Sequence, residues 1–295
     1  MPLPIESVPN FSEGRDQETI DAIADALQRH ARLLDIHADA DHNRSVFTLV
    51  GTDDALSDAL LAGVACAIER IDLRTHVGAH PRIGAADVVP FVPLQPTDLP
   101  RAHEAAATLA PRLGDELGLP VFLYGDLARG RGPAHFRRGG PDELQRRIDA
   151  GELKPDFGPS RLDPRTGAVL VGARRPLIAF NVNLATGDVQ VARAIAAVVR
   201  ETDGGFPGVR ALGLELPGAG IVQVSMNVED WEAAALHEIV ARIEEEAESR
   251  GVAVANAELV GLMPAGAAAA AAGSALRIDG FDASRVLELR LLDQN

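Results

Sequence analysis

The sequence predicts an α+β chain made of two successive β-α-β-β-α-β units. Three observations predict it. Apolar residues recur with strand spacing and with helical spacing in alternation along the chain, not in separate blocks. The order strand, helix, strand, strand, helix, strand is met twice. Each half also opens on a strand that ends in asparagine, I-E-S-V-P-N from Ile5 and I-A-F-N-V-N from Ile178. This order suits two antiparallel sheets, each with helices on one face, in the split β-α-β arrangement. A cleft between two such units is a natural ligand site.

Taking the elements in order, Ile5 to Val8 is a short strand ended by Pro9-Asn10. Gln17 to Arg29 carries apolar residues at 20, 23, 24, 26 and 27, a helical spacing. A strand at Ala31 to Ile36 is followed by the polar turn H-A-D-A-D-H-N-R and a second strand, Ser45 to Gly51. Asp53 or Asp54 is placed to cap a helix reaching Arg70. Val88 to Val92 is the fourth strand. Beyond it, Thr97 caps a helix that Gly118 stops, and P-V-F-L-Y from Pro120 and G-A-V-L-V-G-A from Gly167 are strands. Gly125 to Ser160, rich in Gly, Pro and Arg, holds one helix from Asp142 to Ala150. In the second half, Thr186-Gly187-Asp188 caps a helix through Arg200. Val209 to Leu216 and Ile221 to Val228 are strands, Asp230 to Arg250 is an acidic amphipathic helix, and V-A-V-A-N-A-E-L-V is the last strand. The expected divisions are 1–175, 176–264 and an Ala-rich tail, 265–295.

Composition bounds the function. At 295 residues, with 46% apolar and 24% charged side chains, the chain can bury a sizeable core. A net charge of −15 argues against a nucleic-acid partner, which needs a basic face. Yet Arg129 to Arg175 holds 11 basic and 6 acidic residues, a surplus of +5 that leaves −20 elsewhere. That segment is either a solvated surface or a device for focusing an anionic small molecule. The single cysteine, Cys66, excludes a disulfide framework and a thiolate metal site. No signal peptide is evident at the N-terminus. The most apolar run, Leu259 to Gly273, is broken by Pro264, so no membrane span is expected and the chain reads as cytoplasmic.

Chemistry concentrates in T-H-V-G-A-H-P-R-I-G-A-A-D-V-V-P-F-V-P-L, from Thr75 to Leu94. His80, between Ala79 and Pro81, is held by a backbone with few options, and an imidazole can take and return a proton near neutrality. Arg82 beside it offers a two-pronged contact for a carboxylate. Asp87 is placed either to orient a ring or to end the turn. His76 and His80 are four apart, but Gly78 and Pro81 argue against the helix that a metal pair would need. His37, Asp39, Asp41 and His42 form a second polar cluster, so a His/Asp metal site assembled from both loops is an alternative. Lys154 to Gly167 combines glycine, hydroxyls, two arginines and Phe157. It suits either a flat heterocycle with an acidic tail or an interdomain linker.

An ordered series of short motifs resembles the formiminotransferase family. It begins with V-P-N-F-S-E-G from Val8, L-L-D from Leu33 and N-R-S-V-F-T-L-V-G from Asn43. It continues with H-P-R-I-G-A-A-D-V-V-P-F-V-P from His80, P-V-F-L-Y-G from Pro120 and P-D-F-G-P-S from Pro155. G-A-R from Gly172, L-I-A-F-N-V-N-L from Leu177, V-S-M-N from Val224 and E-L-V-G-L-M-P from Glu258 complete it. The resemblance implies two ferredoxin-like subdomains with folate between them, and a homodimer. The implied reaction moves the formimino group of N-formimino-L-glutamate to N5 of tetrahydrofolate, a co-substrate, and releases glutamate late in histidine breakdown. No metal is implied.

The resemblance makes His80 the catalytic histidine and places the folate-binding segment at Gly158, Pro159, Ser160, Arg161, Leu162, Asp163, Pro164, Arg165, Thr166 and Gly167. Arg44 and Arg82 are candidate contacts for the glutamate carboxylates. Where the family's bifunctional enzyme has an aspartate assisting its histidine, this chain has His37, with Asp39 two residues on. Both are candidate supports for His80. The folate segment is also more charged here, R-L-D-P-R-T. The chain ends where a cyclodeaminase would begin, so no cyclodeaminase activity is expected of it. The alternatives are formyl transfer between glutamate and folate on the same fold, a His/Asp metallohydrolase, and a folate-binding protein without turnover.

Overall fold

A computed structural model describes residues 3–278 and 281–287. The chain divides into two compact units, residues 1–175 and 176–295.

In the first unit the opening strand is split by Pro9 into β1 (Ile5–Ser7) and β2 (Asn10–Phe11). Helix α1 (Gln17–Gln28) starts at Asp16, whose carboxylate accepts the Glu18 N–H. Strands β3 (Arg32–Asp39) and β4 (Arg44–Gly51) form a hairpin, and α2 (Asp53–Arg70) follows. Then come β5 (Ala86–Pro93), α3 (Leu99–Leu117), β6 (Val121–Leu123), α4 (Pro133–Arg137), α5 (Gly140–Asp149) and β7 (Val169–Ala173). The seven strands make one sheet. β1 and β2 lie between β4 and β5, β3 lies beyond β4, and β7 and then β6 extend the other side.

Four corrections to the expected elements follow. The first sheet is mixed, since β5–β7 and β7–β6 run parallel; α3 crosses from β5 to β6, and the segment carrying α4 and α5 returns the chain to β7 between them. β3 runs three residues past Ile36, so His37 and Asp39 stand on a strand and the turn is shorter. Its alternating exposure makes it half-solvated, and polarity does not mark its end. The N-cap of α2 is Thr52, with Asp53 and Asp54 in the first turn where the helix dipole favours them. Thr97 lies in a short 3-10 turn, and α3 begins at Leu99 with Pro100 in its first turn, where a missing N–H costs nothing. Gly118 ends α3 in the left-handed conformation, as the sequence suggests.

The core packs the sheet's helix-bearing face. Ile5, Phe11, Phe47, Leu49, Val89 and Phe91 from the strands meet Ile23, Leu27, Leu56, Leu60, Leu109 and Leu113 from the helices, all fully buried. Each such side chain contributes about 1.5–3 kcal/mol. Cys66 is partly buried against this core. A smaller cluster, including Val88, Phe122, Phe136, Leu144 and Leu162, seats α4 and α5.

The second unit contains β8 (Ile178–Leu184), α6 (Val189–Val199), β9 (Val209–Leu216), β10 (Ile221–Val228), α7 (Leu236–Glu248), β11 (Val254–Val260) and α8 (Ala265–Leu276). Its four strands are antiparallel in the order β11-β8-β10-β9. Asp188 caps α6 through the Gln190 N–H. Helix α7 starts six residues after the expected Asp230, because the Asp230 carboxylate accepts the Ala233 N–H and closes a separate turn. The Ala-rich tail is helical over α8, with Ala267 buried in this unit's core. Residues 279–280 and 288–295 of that tail lie outside the described residues. No helix among the described residues is long and apolar enough to cross a membrane.

Candidate functional site

His80 sits on the loop before β5, fastened on two sides. On one side is the β3–β4 turn. Asn43 holds a positive φ of 47° there, accepts the Gly14 N–H at 3.0 Å and donates to the Val77 carbonyl at 3.1 Å. The Ala79 N–H donates to the Asp41 carbonyl at 3.1 Å. Arg82 completes the fastening with donations to the carbonyls of Asn43 (3.1 Å), His42 (2.9 Å) and His80 (2.8 Å from Nη2).

On the other side is the segment the family resemblance assigns to folate. Gly84 bridges Gly167, the Ala85 N–H donates to Thr166, and the Ala168 N–H donates to Ile83, both at 2.9 Å. A Cβ on Gly84 would lie 1.9 Å from the Ala168 carbonyl oxygen, so only glycine permits this approach. Gly158 to Arg161 and Asp163 to Arg165 are exposed, whereas Leu162 is buried. Residues 154–167 are therefore packed into the first unit and are not a linker. Phe157 is partly buried against the core, where its backbone pairs with Val121, so its ring is a packing element.

The ring nitrogens of His80 have distinct partners. Nδ1 lies 2.7 Å from the Pro81 carbonyl, which can only accept, so this nitrogen carries the proton. Nε2 lies 2.5 Å from Nη1 of Arg44 and accepts from it. The ring is thus neutral. Burial holds its pKa well below the ordinary 6.5, and the neighbouring Arg44 and Arg137 cations push the same way.

Arg44 is itself lowered to about 9, first by burial and then by Arg137, with Asp87 opposing. Arg137, on α4, places Nη2 2.5 Å from Oδ2 of Asp87, a carboxylate only 3% exposed. The other oxygen of Asp87 accepts the Ile83 N–H at 2.8 Å. Asp87 therefore ends the turn and holds an arginine; its two oxygens meet Ile83 and Arg137.

The remaining candidates occupy defined places. Asp39 pairs with Arg44 across the hairpin, and its carboxylate accepts the His42 N–H at 2.7 Å. His37 stands opposite Val46, two residues along the same strand face. Asp39 is one of the charges acting on Arg44, whose Nη1 meets His80. Arg82 has its guanidinium committed to three carbonyls and to His76. His76 is lowered to about 4, mainly by burial and then by the Arg82 charge. Among the described residues, no group of three or more His, Cys, Asp or Glu side chains is placed to hold a metal ion. A cavity of about 280 Å³ opens beside this loop, lined by Leu73, His76, Val77, Gly78, Arg82 and Pro141.

Sequence reasoning missed Arg137; it named His42 only as a member of the polar cluster, and the structure places that ring 6.0 Å from His80, centroid to centroid. The signal for Arg137 was present: Gly132-Pro133 is a helix start, and Pro133 sits at the first turn of α4.

A neutral histidine beside partly buried arginines on an α+β scaffold suits acid/base chemistry on an anionic molecule. Comparison with known proteins gives the family. The N-terminal subdomain of the formiminotransferase domain matches residues 4–174, and the formiminotransferase domain model matches residues 179–279. A glutamate formimidoyltransferase of Thermoplasma acidophilum is 38% identical over 97% of both chains. One from Streptococcus pyogenes serotype M1 is 39% identical over 98% of both. A formimidoyltransferase-cyclodeaminase of Rattus norvegicus is 40% identical over 88% of this chain and 50% of its own. The chain belongs to the formiminotransferase family, a family of group-transfer enzymes.

Proposed function

We propose that this enzyme transfers the formimino group of N-formimino-L-glutamate to N5 of tetrahydrofolate and releases L-glutamate, with His80 moving the proton. The observation that carries this reading is the tautomer of His80. With Nδ1–H held by the Pro81 carbonyl, the lone pair of Nε2 is the one available to a substrate proton. N5 of tetrahydrofolate attacks the formimino carbon and a C–N bond forms. Nε2 takes the N5 proton and returns it to the glutamate nitrogen as the second C–N bond breaks, so protons balance across the cycle.

Tetrahydrofolate is assigned to the Gly158–Gly167 segment, exposed at 158–161 and 163–165, which the Gly84–Gly167 bridge joins to the His80 loop. Asp39 supports the site from the hairpin, with His37 on the same strand face, and Arg44 meets the glutamate carboxylates. Arg82 positions the loop. Both units are read as ferredoxin-like. In support, each places its strands in the order fourth, first, third, second, counting β1 and β2 as one strand and leaving β6 and β7 as additions. The active form is read as a homodimer, on the family resemblance, and the chain as cytoplasmic, on its sequence.

The deciding experiment incubates the protein with formiminoglutamate and tetrahydrofolate and follows 5-formiminotetrahydrofolate, with formylglutamate as the competing donor. Turnover of formylglutamate alone would replace this reading with formyl transfer. Tight folate binding with no glutamate released would make the chain a binding protein.

A further inference from the structure

We infer that Arg44 caps the base and that a substrate carboxylate, binding between Arg44 and Arg137, uncaps it. The inference rests on the proposed reaction for the identity of the substrate. It begins from a conflict in the geometry. The nitrogen of His80 that must accept a proton, Nε2, is already accepting one from Nη1 of Arg44 at 2.5 Å. In this arrangement the base cannot act. Something must draw Arg44 away, and the surroundings specify what.

Three guanidinium groups, Arg44, Arg82 and Arg137, converge on this loop, and Asp39 and Asp87 are the carboxylates that act on them. The rings of His42 and His76 also face His80 and Arg82, and the charges of Arg15 and Glu13 act from the β2–α1 side, Arg15 on Arg82 and His76, Glu13 on His76. Asp39 is engaged by the His42 N–H and Asp87 by the Ile83 N–H, so neither is free to move toward Arg44. Arg82 is committed to backbone carbonyls.

Unused donors remain on the other two arginines. Nε of Arg44 is buried without a hydrogen-bond partner, and so is Nε of Arg137, whose side chain is 14% exposed. Nη2 of Arg137 is close to Asp87 without hydrogen-bond alignment. Buried guanidinium N–H groups left unpaired are costly, and a carboxylate satisfies two at once in a charge-assisted fork. The ligand class that fits is an amino-acid carboxylate. On binding it neutralises the mutual repulsion of Arg44 and Arg137, competes with Nε2 for Arg44, and leaves His80 free to accept the folate proton. The donor substrate therefore arms the base, and tetrahydrofolate bound alone meets a capped histidine.

L-glutamate, the unreactive product, tests this in the wild-type protein. Titration should move the ¹⁵N resonance of His80 Nε2, identified by its loss in His80→Gln, and raise the ring's pKa toward 6.5. Arg137→Gln should abolish that response and raise KM for formiminoglutamate roughly 10- to 100-fold, with KM for tetrahydrofolate within about twofold. Arg137 also neutralises buried Asp87, so Arg137→Lys, which keeps the charge and loses the fork, is the folded control and should still raise the donor KM. An Nε2 resonance that stays put at saturating glutamate, or an unchanged donor KM in both variants, overturns the inference. If the resonance moves but no formimino transfer occurs, the proposed reaction fails and the carboxylate switch stands. If transfer occurs with a stationary resonance, only the switch fails.

Discussion

Arg82 and His80 are joined twice through the backbone, since both Nε and Nη2 of the guanidinium donate to the His80 carbonyl, at 3.2 and 2.8 Å. The same group reaches the carbonyls of His42 and Asn43, so one side chain sets the distance between the β3–β4 turn and the loop that carries the base. Arg82 is thus a positioning residue.

Arg82→Lys should lower kcat roughly tenfold or more with little change in folate affinity, because a lysine has no planar fork to span three carbonyls. Steady-state kinetics with both substrates check this. A raised donor KM at unchanged kcat would instead return Arg82 to the carboxylate-binding role its sequence position suggests.

His80→Ala should lower turnover by roughly 10²-fold or more while tetrahydrofolate binding survives. Isothermal titration beside the rate measurement separates the two quantities. Unchanged turnover would remove His80 from the chemistry and leave the site without its base.

The protonation state of His80 sets the pH profile. Its folded pKa lies below 6.5, so the ring stays neutral and competent as pH falls through 6.5 and is protonated only under more acidic conditions. Activity is therefore present above the folded pKa and lost below it. The acid limb of kcat/KM, which reports the free enzyme, should fall clearly under pH 6.5. A limb at or above 6.5 would mean that neither burial nor the arginines act on the ring as described.

Much of this was legible from residues alone, and the gaps have physical causes. The second unit largely follows its sequence pattern because α6, β9 and α7 each bury one face, which writes periodicity into the chain. The first unit's sheet did not reveal its parallel extension, since strand periodicity carries no information about direction; β7 comes to lie beside β5 only after the chain has crossed through α3, β6, α4 and α5. His37 and Asp39 read as a loop because they are polar, yet they continue an edge strand whose faces do not need apolar residues. His80 was legible from its motif. Its capping by Arg44 was not, because the two residues are 36 apart in the chain and meet only when the hairpin folds against the loop.

Arg161→Glu should weaken tetrahydrofolate, and its polyglutamate form most. Arg161 is exposed and carries no hydrogen bond among the described residues, so it is available to an anionic tail. Arg165 is held by the Glu69 carbonyl and should contribute less. Screening makes the effect of the substitution larger at low salt than at physiological ionic strength. Binding measured across a salt series checks it, and an affinity that does not move assigns the basic segment to surface solvation.

The contact between Gly84 and Gly167 makes the last prediction. Gly167 holds φ at +70°, and a Cβ there would sit 2.1 Å from the Ile83 carbonyl oxygen. Gly167→Ala therefore adds a left-handed strain to a backbone clash, and the segment must separate from the loop that carries His80. The substitution should destabilise the protein by about 1–3 kcal/mol. It should also lower kcat by moving the folate segment relative to His80, a displacement of about 1 Å being enough to reduce a rate roughly 10²-fold. Gly118→Ala is the comparison. It shares the positive φ, at 66°, but a Cβ there meets nothing within 4 Å, so it should lose some stability and keep its kcat. Thermal melts and single-turnover rates on the pair separate strain from displacement. Equal kcat in the two variants would show that the close approach of Gly84 and Gly167 does not align the folate segment with the base.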